Sequence, residues 1–414
     1  MKRVFDNYHR ITHKSGCEVI VIPKDFANTY AVYASRYGAA HKTYSVDGGT
    51  PTVLPEGIHH FLEHKLFANP DGEDTSEKFG RAGAHCNAYT SHEVTAYEFS
   101  TTADPYSCLE ILLKSTHTPH FTKSNVATEL GIVREETQMY LDSPEDTLHY
   151  SLLKAMYSAL PVRDYVIGTL DSIEKITAEM LSECHHAFYH PSDMFLIVCG
   201  PVEIDKVLAV ADMAIPTQTS PNTKILFPAE PAKVFAPILR KTMDVSKPIF
   251  KIGVKNRRIS ADVEANQREH IILAIIAEAL FSESGEFASS IFDEGLTPAP
   301  VWHYTIHNPL YSHLALGGDS DQPDEIYRRF RSIVKRPLCP RDTARARRVV
   351  YSNFIRSLQT TNGIVDTATD FFLRGGDIQG YPQQIASVTF DEIADFAGAL
   401  FREEHCCMAV VAGE

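Results

Sequence analysis

The sequence predicts an α+β protein built from two tandem, similar α/β halves, each a mostly antiparallel sheet packed on one side by helices. Three observations carry that prediction. Short segments rich in β-branched and aromatic residues alternate with longer segments of helical apolar periodicity. The order of strands, then helices, then a closing apolar strand occurs twice. Between the two occurrences, residues 215–237 hold Pro216, Pro221, Pro228, Pro231 and Pro237 among Ser, Thr and Asn, the composition of a stiff, extended linker. The expected domains are 1–214, the linker 215–237, and 238–414.

In the first half, Cys17–Pro23 and Thr29–Gly38 read as strands. A helical run follows from Gly57, then a short helix near Ser76–Ala82 and strands at His85–Thr90 and Val94–Thr101. Helices are expected at Tyr106–Thr116, Ser124–Leu141, Thr147–Ser158 and Ala178–Tyr189, a closing strand at Met194–Gly200, and a helix from Ile204. In the second half, Ile249–Asn256 is a strand, followed by helices around Glu264–Leu280 and Gly285–Glu294. Paired strands come next at Val301–Ile306 and Ser312–Gly317, then helices at Asp324–Val334, Asp342–Leu358, Gly363–Leu373 and Asp391–Phe401. His405–Gly413 closes that half as a strand.

Composition narrows the function classes. Over 414 residues, 39 Lys and Arg face 53 Asp and Glu, a net charge of −14. Neutralising phosphates requires clustered cations, so a general nucleic-acid binder is excluded, and no basic stripe offers itself to anionic lipid. The eight cysteines are scattered without C-x-x-C spacing, which argues against a disulfide framework or a thiolate zinc site. Residues 1–23 contain no apolar core of signal-peptide length, and Cys17–Pro23 is too short to span a bilayer. The expectation is a cytoplasmic protein without membrane or nucleic-acid partners.

The chemistry concentrates in Gly57-Ile-His-His-Phe-Leu-Glu-His-Lys-Leu-Phe67. His60 and His64 are four residues apart, so on a helix both imidazoles project from one face, as two nitrogen ligands of one zinc ion require. Glu63 lies beside that pair, where a carboxylate can accept a proton from a water made acidic by the metal. This H-x-x-E-H order is the inverzincin pattern. His59 points about 100° away from His60 and is a poor ligand. A third ligand is sought in Ser124–Leu141, where Glu129 and Glu136 share a helix face seven residues apart and Glu135 and Glu136 cannot both face inward.

Taken together, these segments resemble the pitrilysin and mitochondrial-processing-peptidase family of zinc peptidases. Leu54–Phe67 resembles that family's active-site helix, and Gly83-Ala-His-Cys-Asn-Ala-Tyr-Thr-Ser91, with Glu93, Thr95 and Tyr97, resembles its substrate-binding edge strand. The Glu129…Glu136 helix follows at the family's usual distance, and Pro161-Val-Arg…Ile167-Gly-Thr169 and Phe188-Tyr-His-Pro191 are further matches. The Tyr140–Asp146 stretch and His64-Lys-Leu-Phe67 look closest to short bacterial members, some of which act in paired-subunit peptidases that process peptide precursors. The resemblance implies zinc held by His60, His64 and Glu136, Glu63 as general base and Glu129 as an accessory carboxylate. It implies that Asn87, Ala88 and Tyr89 pair through their backbone with an extended peptide substrate.

The second half departs from the family pattern. Where members that complete the site carry an Arg and a Tyr seven residues apart around a Gly-Leu pair, Ser290–Pro298 has Ile291 and Pro298, and no Arg occurs between Arg268 and Arg328. A second, family-related chain is therefore expected to supply the Arg and Tyr, the two chains enclosing a chamber like the halves of a clamshell. A homodimer is the alternative, with His303 or Tyr304 as substitutes. The implied function is a zinc metalloendopeptidase, or the catalytic subunit of a paired one, acting on short or unfolded peptides such as a precursor or leader peptide. The rival reading is a non-catalytic peptide-binding or scaffold subunit of the same fold.

Overall fold

The computed structural model describes residues 4–414. The first half contributes strands β1 (His9–Thr12), β2 (Glu18–Pro23), β3 (Thr29–Ser35), β4 (Thr43–Val46), β5 (Thr52–Val53), β6 (Ala84–Thr90), β7 (Thr95–Thr101) and β8 (Met194–Gly200). Its helices are α1 (Ile58–Lys65), α2 (Thr75–Arg81), α3 (Pro105–His117), α4 (Lys123–Asp142), α5 (Pro144–Met156), α6 (Leu170–Ile173), α7 (Ala178–Phe188) and α8 (Ile204–Ala214). The second half follows β9 (Thr223–Ile225) with β10 (Ile238–Thr242), β11 (Ile249–Lys255), β12 (Trp302–His307), β13 (Ser312–Asp319) and β14 (Cys406–Ala412). Its helices are α9 (Val263–Phe281), α10 (Glu286–Asp293), α11 (Pro323–Ile333), α12 (Pro340–Ser357), α13 (Thr361–Leu373), α14 (Tyr381–Ser387) and α15 (Phe390–Leu400).

The duplication expected from the sequence is written into the sheets. The first runs β1-β2-β8-β3-β7-β6 and the second β10-β14-β11-β13-β12. Apart from β1, the two orders correspond strand for strand. The closing strand lies parallel to the first member, β8 with β2 and β14 with β10, and the remaining pairs are antiparallel. β3 and β8 are buried at every position, as continuous apolar runs in a sheet centre must be. β6, at the sheet's edge, buries Ala84, exposes His85 and Asn87, and leaves its other residues half-buried.

Helix boundaries follow local chemistry. Asp104 caps α3 by accepting from the Tyr106 and Ser107 amides, with Pro105 in the first turn. Ser143 caps α5 in the same way ahead of Pro144, so α5 begins at Pro144 rather than Thr147. Thr389 and Glu392 form a capping box on α15. Within the proline-rich stretch, β9 pairs with β4, which also pairs with β5, to make a small third sheet.

The chain forms two compact units. One holds the chain through Met139, Asp164–Pro228 and Ser357–Asp370; the other holds Tyr140–Arg163, Ala229–Arg356 and Phe371–Glu414. α5 thus belongs with the second sheet, where it lies on β10, β11 and β14, while most of α13 belongs with the first. Each of these helices is the third after its own half's hairpin, so the two repeats exchange equivalent elements. In the second unit, Lys255 is almost fully buried and donates to Glu230 at 2.6 Å and to the carbonyls of Met156, Pro231 and Lys233. Glu230 also accepts from the amides of Ser158, Ala159 and Leu160.

Burial alone would raise the Glu230 carboxyl, but Lys255 and the three amides outweigh it and bring its pKa down to about 2. Its stabilisation is complete above the ordinary carboxylate value and is lost as pH falls toward 2, a window from about pH 4.3 to about pH 2. Glu230→Gln leaves a buried ammonium without its counter-charge, a cost of about 3–5 kcal/mol. The expected result is a clear fall in thermal midpoint at pH 7, and a smaller further loss than in the parent protein when melts are repeated through that acid window.

Candidate metal centre

The site begins with a tight backbone junction. Gly57 precedes α1 with φ +88°, and a Cβ there would meet the Ile167 carbonyl oxygen at 2.4 Å. At Gly168, with φ +84°, a Cβ would meet the Glu56 carbonyl oxygen at 2.6 Å. Only glycine tolerates both the left-handed geometry and the contact. Lys42 bridges the same two segments through ion pairs to Glu56 and Asp164.

From this junction α1 turns Ile58, Phe61 and Leu62 into the core, against β6, β7 and α7. His59 is buried with them, its ring 5.1 Å from that of Phe188, and takes no part in the cluster on the other side. His60 and His64 project from that other side with ring centroids 4.6 Å apart. α4 buries Val126, Val133 and Thr137 and thereby presents Glu129 and Glu136 together. Glu136 reaches His64 Nε2 at 3.3 Å and His60 Nε2 at 3.8 Å, while Glu135 stays exposed. Donor atoms of His60, His64 and Glu136 all lie within 4.8 Å of one another, the one such group among the described residues.

Two imidazole nitrogens and a carboxylate oxygen match the donor set and number of a catalytic zinc site. Glu129 stands behind them, accepting from His64 Nδ1 at 3.1 Å, with its second oxygen 3.5 Å from the buried Lys65 ammonium. That bond keeps a proton on His64 Nδ1 and turns Nε2, the nitrogen that would lose its proton to a metal, toward the cluster. Burial pulls the His64 pKa down, but the bonds to Glu129 and Glu136 outweigh it and lift it to about 10. Burial, and then the proximity of His64, lower His60 to about 4. The hydrogen bond with His64 holds both Glu129 and Glu136 below the usual carboxylate range.

Glu63 lies on the same helix, 7% exposed, and burial raises its pKa to about 7. Its Oε2 accepts from Thr90 Oγ1 at 2.6 Å. Thr90 ends β6, the outer strand of its sheet, which pairs with β7 through Asn87↔Glu98, Ala88↔Tyr97 and Tyr89↔Ala96. The opposite backbone edge of Asn87, Ala88 and Tyr89 faces no strand of the sheet. Sequence reasoning overlooked Thr90 and Lys65. Strand alternation carried a signal for Thr90, since it shares a face with Cys86 and Ala88, the face toward α1.

The second half forms no such group among the described residues. There Glu278 of α9 pairs with Arg345 of α12 at 3.1 Å and lies 3.7 Å from His303. Ile291 is fully buried in α10, and Pro298 is exposed in the segment that follows.

Comparison with known proteins decides the family. The uncharacterized zinc protease YmfH of Bacillus subtilis is 31% identical over 365 residues, covering 86% of this chain and 85% of that protein. The chain belongs to peptidase family M16. The family model described as insulinase (peptidase family M16) matches residues 53–170, and that of the M16 inactive domain matches residues 175–336. A crystal structure of an M16-like protein from Alicyclobacillus acidocaldarius superposes with a TM-score of 0.95 at 27% identity, covering all of both chains. A protease from Helicobacter pylori shares the fold, with a TM-score of 0.83 at 18% identity over 98% of this chain and 99% of that one. M16 relatives are named zinc proteases, and zinc is the metal of the family.

Gly57→Ala places a methyl group on the Ile167 carbonyl and forces a left-handed φ on a residue with a side chain. The expected cost is about 2 kcal/mol or more. Thermal melts should show the destabilisation, and zinc titration against a competing chelator should show weakened metal uptake.

Proposed function

We propose that this M16 chain is a zinc metalloendopeptidase, with His60, His64 and Glu136 as the metal ligands. The observation that carries the reading is the convergence of those three donors beside the buried Glu63. Zinc bound there supplies Lewis acidity, polarising a peptide carbonyl and making water acidic enough to lose a proton near neutral pH. Glu63 Oε1 accepts that proton and returns it to the leaving amine. Glu129 holds His64 in the tautomer that directs Nε2 at the metal. The β6 edge takes the substrate as an added strand through the backbone of Asn87, Ala88 and Tyr89. Strand addition requires an extended chain, so the substrates are short or unfolded peptides, a precursor or leader peptide among them.

A second reading has its own support. Ile291 and Pro298 stand where an Arg and a Tyr are expected, and the matching family model is named for an inactive domain. A second family-related chain that carries those two residues, or a second copy of this one with His303 or Tyr304 as substitutes, would complete the site. Without it the chain would bind peptides and zinc but cleave slowly, since losing a donor to the developing oxyanion costs roughly 100–1000-fold in rate. A pure scaffold role has less support, because all four metal-site groups are in place.

We also place the protein in the cytoplasm. Its eight free cysteines, six of them buried, suit a reducing compartment, and no helix among the described residues is long and apolar enough to cross a membrane.

Glu63→Gln is expected to retain one zinc per chain and to lose cleavage of unfolded peptides by a thousandfold or more. His60→Ala and Glu136→Ala should lose both. Metal analysis and a quenched-peptide assay, with and without a co-purified partner chain, check all three. Normal turnover by Glu63→Gln would refute the assigned base, and full activity of the isolated monomer would refute the need for a partner.

A further inference from the structure

Glu63 has two carboxylate oxygens and one hydrogen-bond partner among the described residues. Thr90 Oγ1 donates to Oε2 at 2.6 Å, while Oε1 accepts from no described group. The last torsion of a glutamate is broad and nearly two-fold, so a carboxylate in a buried pocket needs an external contact to fix its plane. A hydroxyl-to-carboxylate bond of this length is charge-assisted and among the stronger ones available. Threonine suits the task because its branched Cβ restricts χ1, so an extended strand delivers the hydroxyl to one place.

The position of Thr90 matters as much as the bond. It is the last residue of β6, directly after Asn87, Ala88 and Tyr89. From the reading of Glu63 as the base, we propose that Thr90 is a positioning residue of the active site. Its hydroxyl pins Oε2, leaves Oε1 alone to exchange the proton, and ties the strand that receives the peptide to the group that activates water. A peptide that adds to the edge at residues 87–89 stiffens β6, and the stiffened strand holds the hydroxyl on Glu63 more firmly. The contribution therefore belongs to turnover rather than to binding.

The test compares Thr90→Val, which keeps the shape and removes the donor, with Thr90→Ser, which keeps the donor. The zinc-loaded full chain, with its partner if one co-purifies, is assayed on the best-cleaved member of an internally quenched decapeptide pool. Thr90→Val should lower kcat ten- to hundredfold, leave KM within about twofold, and keep one zinc per chain. Thr90→Ser should recover most of kcat. Urea unfolding of the metal-free proteins gives a readout independent of activity: Thr90→Val should shift the midpoint when Glu63 is present and not in a Glu63→Ala background.

Parent-like kcat in Thr90→Val, failure of Thr90→Ser to rescue, or additive shifts in the urea cycle would each overturn the proposal. Should Thr90→Val not fold, Thr90→Ala replaces it against Thr90→Ser with the same expectations. A parent protein that binds zinc but cleaves no peptide would overturn the peptidase reading itself, and this role with it. A cleaving parent with an indifferent Thr90→Val would overturn this role alone.

Discussion

Everything at the site depends on α1 serving two surfaces within eight residues. Its inner side must bury Ile58, Phe61 and Leu62 to anchor it on the sheet, and its outer side must carry two imidazoles on one face, a turn apart. A helix this short has no propensity to spare and forms because tertiary packing holds it. The glycine-to-carbonyl contacts at Gly57 and Gly168 fix where it starts and hence the direction of each later side chain. A rotation of α1 by one residue, about 100°, would send His59 to the side facing Glu136 and His60 into the core. The aromatic packing of His59 on Phe188 resists that rotation.

Much of this was legible in the chain. The four-residue spacing of His60 and His64 and the seven-residue spacing of Glu129 and Glu136 are helical periodicities, and periodicity survives the absence of coordinates. The central strands were legible because β8 is a continuous apolar run and β3 is one from Tyr30 to Ala34. Elements held by backbone pairing rather than side-chain burial were not: β1, β4, β9 and β10 are short and partly polar, and the β4–β9 and β10–β14 pairings join segments remote in sequence. α5 starts three residues ahead of the expected Thr147, because Ser143 caps it and Pro144 opens it. The bond between Thr90 and Glu63 joins a strand end to a helix 27 residues earlier, a contact no local pattern announces.

The two halves show how one scaffold separates chemistry from architecture. Their sheets share an order and a pattern of parallel and antiparallel pairs. In the first, the helices over the sheet bring histidines and carboxylates together. In the second, Glu278 and Arg345 meet instead, satisfying each other with an ion pair that leaves no donor set for a cation. The exchange of α5 and α13 adds a constraint that sequence order hides, because each unit takes a helix encoded in the other half of the chain. Neither half contains all the residues of its own compact unit, so separating the halves at the proline-rich stretch would remove a helix from each.

The open margin of β6 has one more consequence. Sheets protect exposed margins with proline, lysine or bulges, because unpaired amides and carbonyls recruit any passing extended chain. From Ala84 to Thr90 there is neither proline nor lysine. That margin is adhesive by construction, and it discriminates poorly, since main-chain groups are common to all sequences. An extended chain that reached this margin would be held by groups every sequence carries, and a free copy at high concentration is at risk of sticking to its own kind.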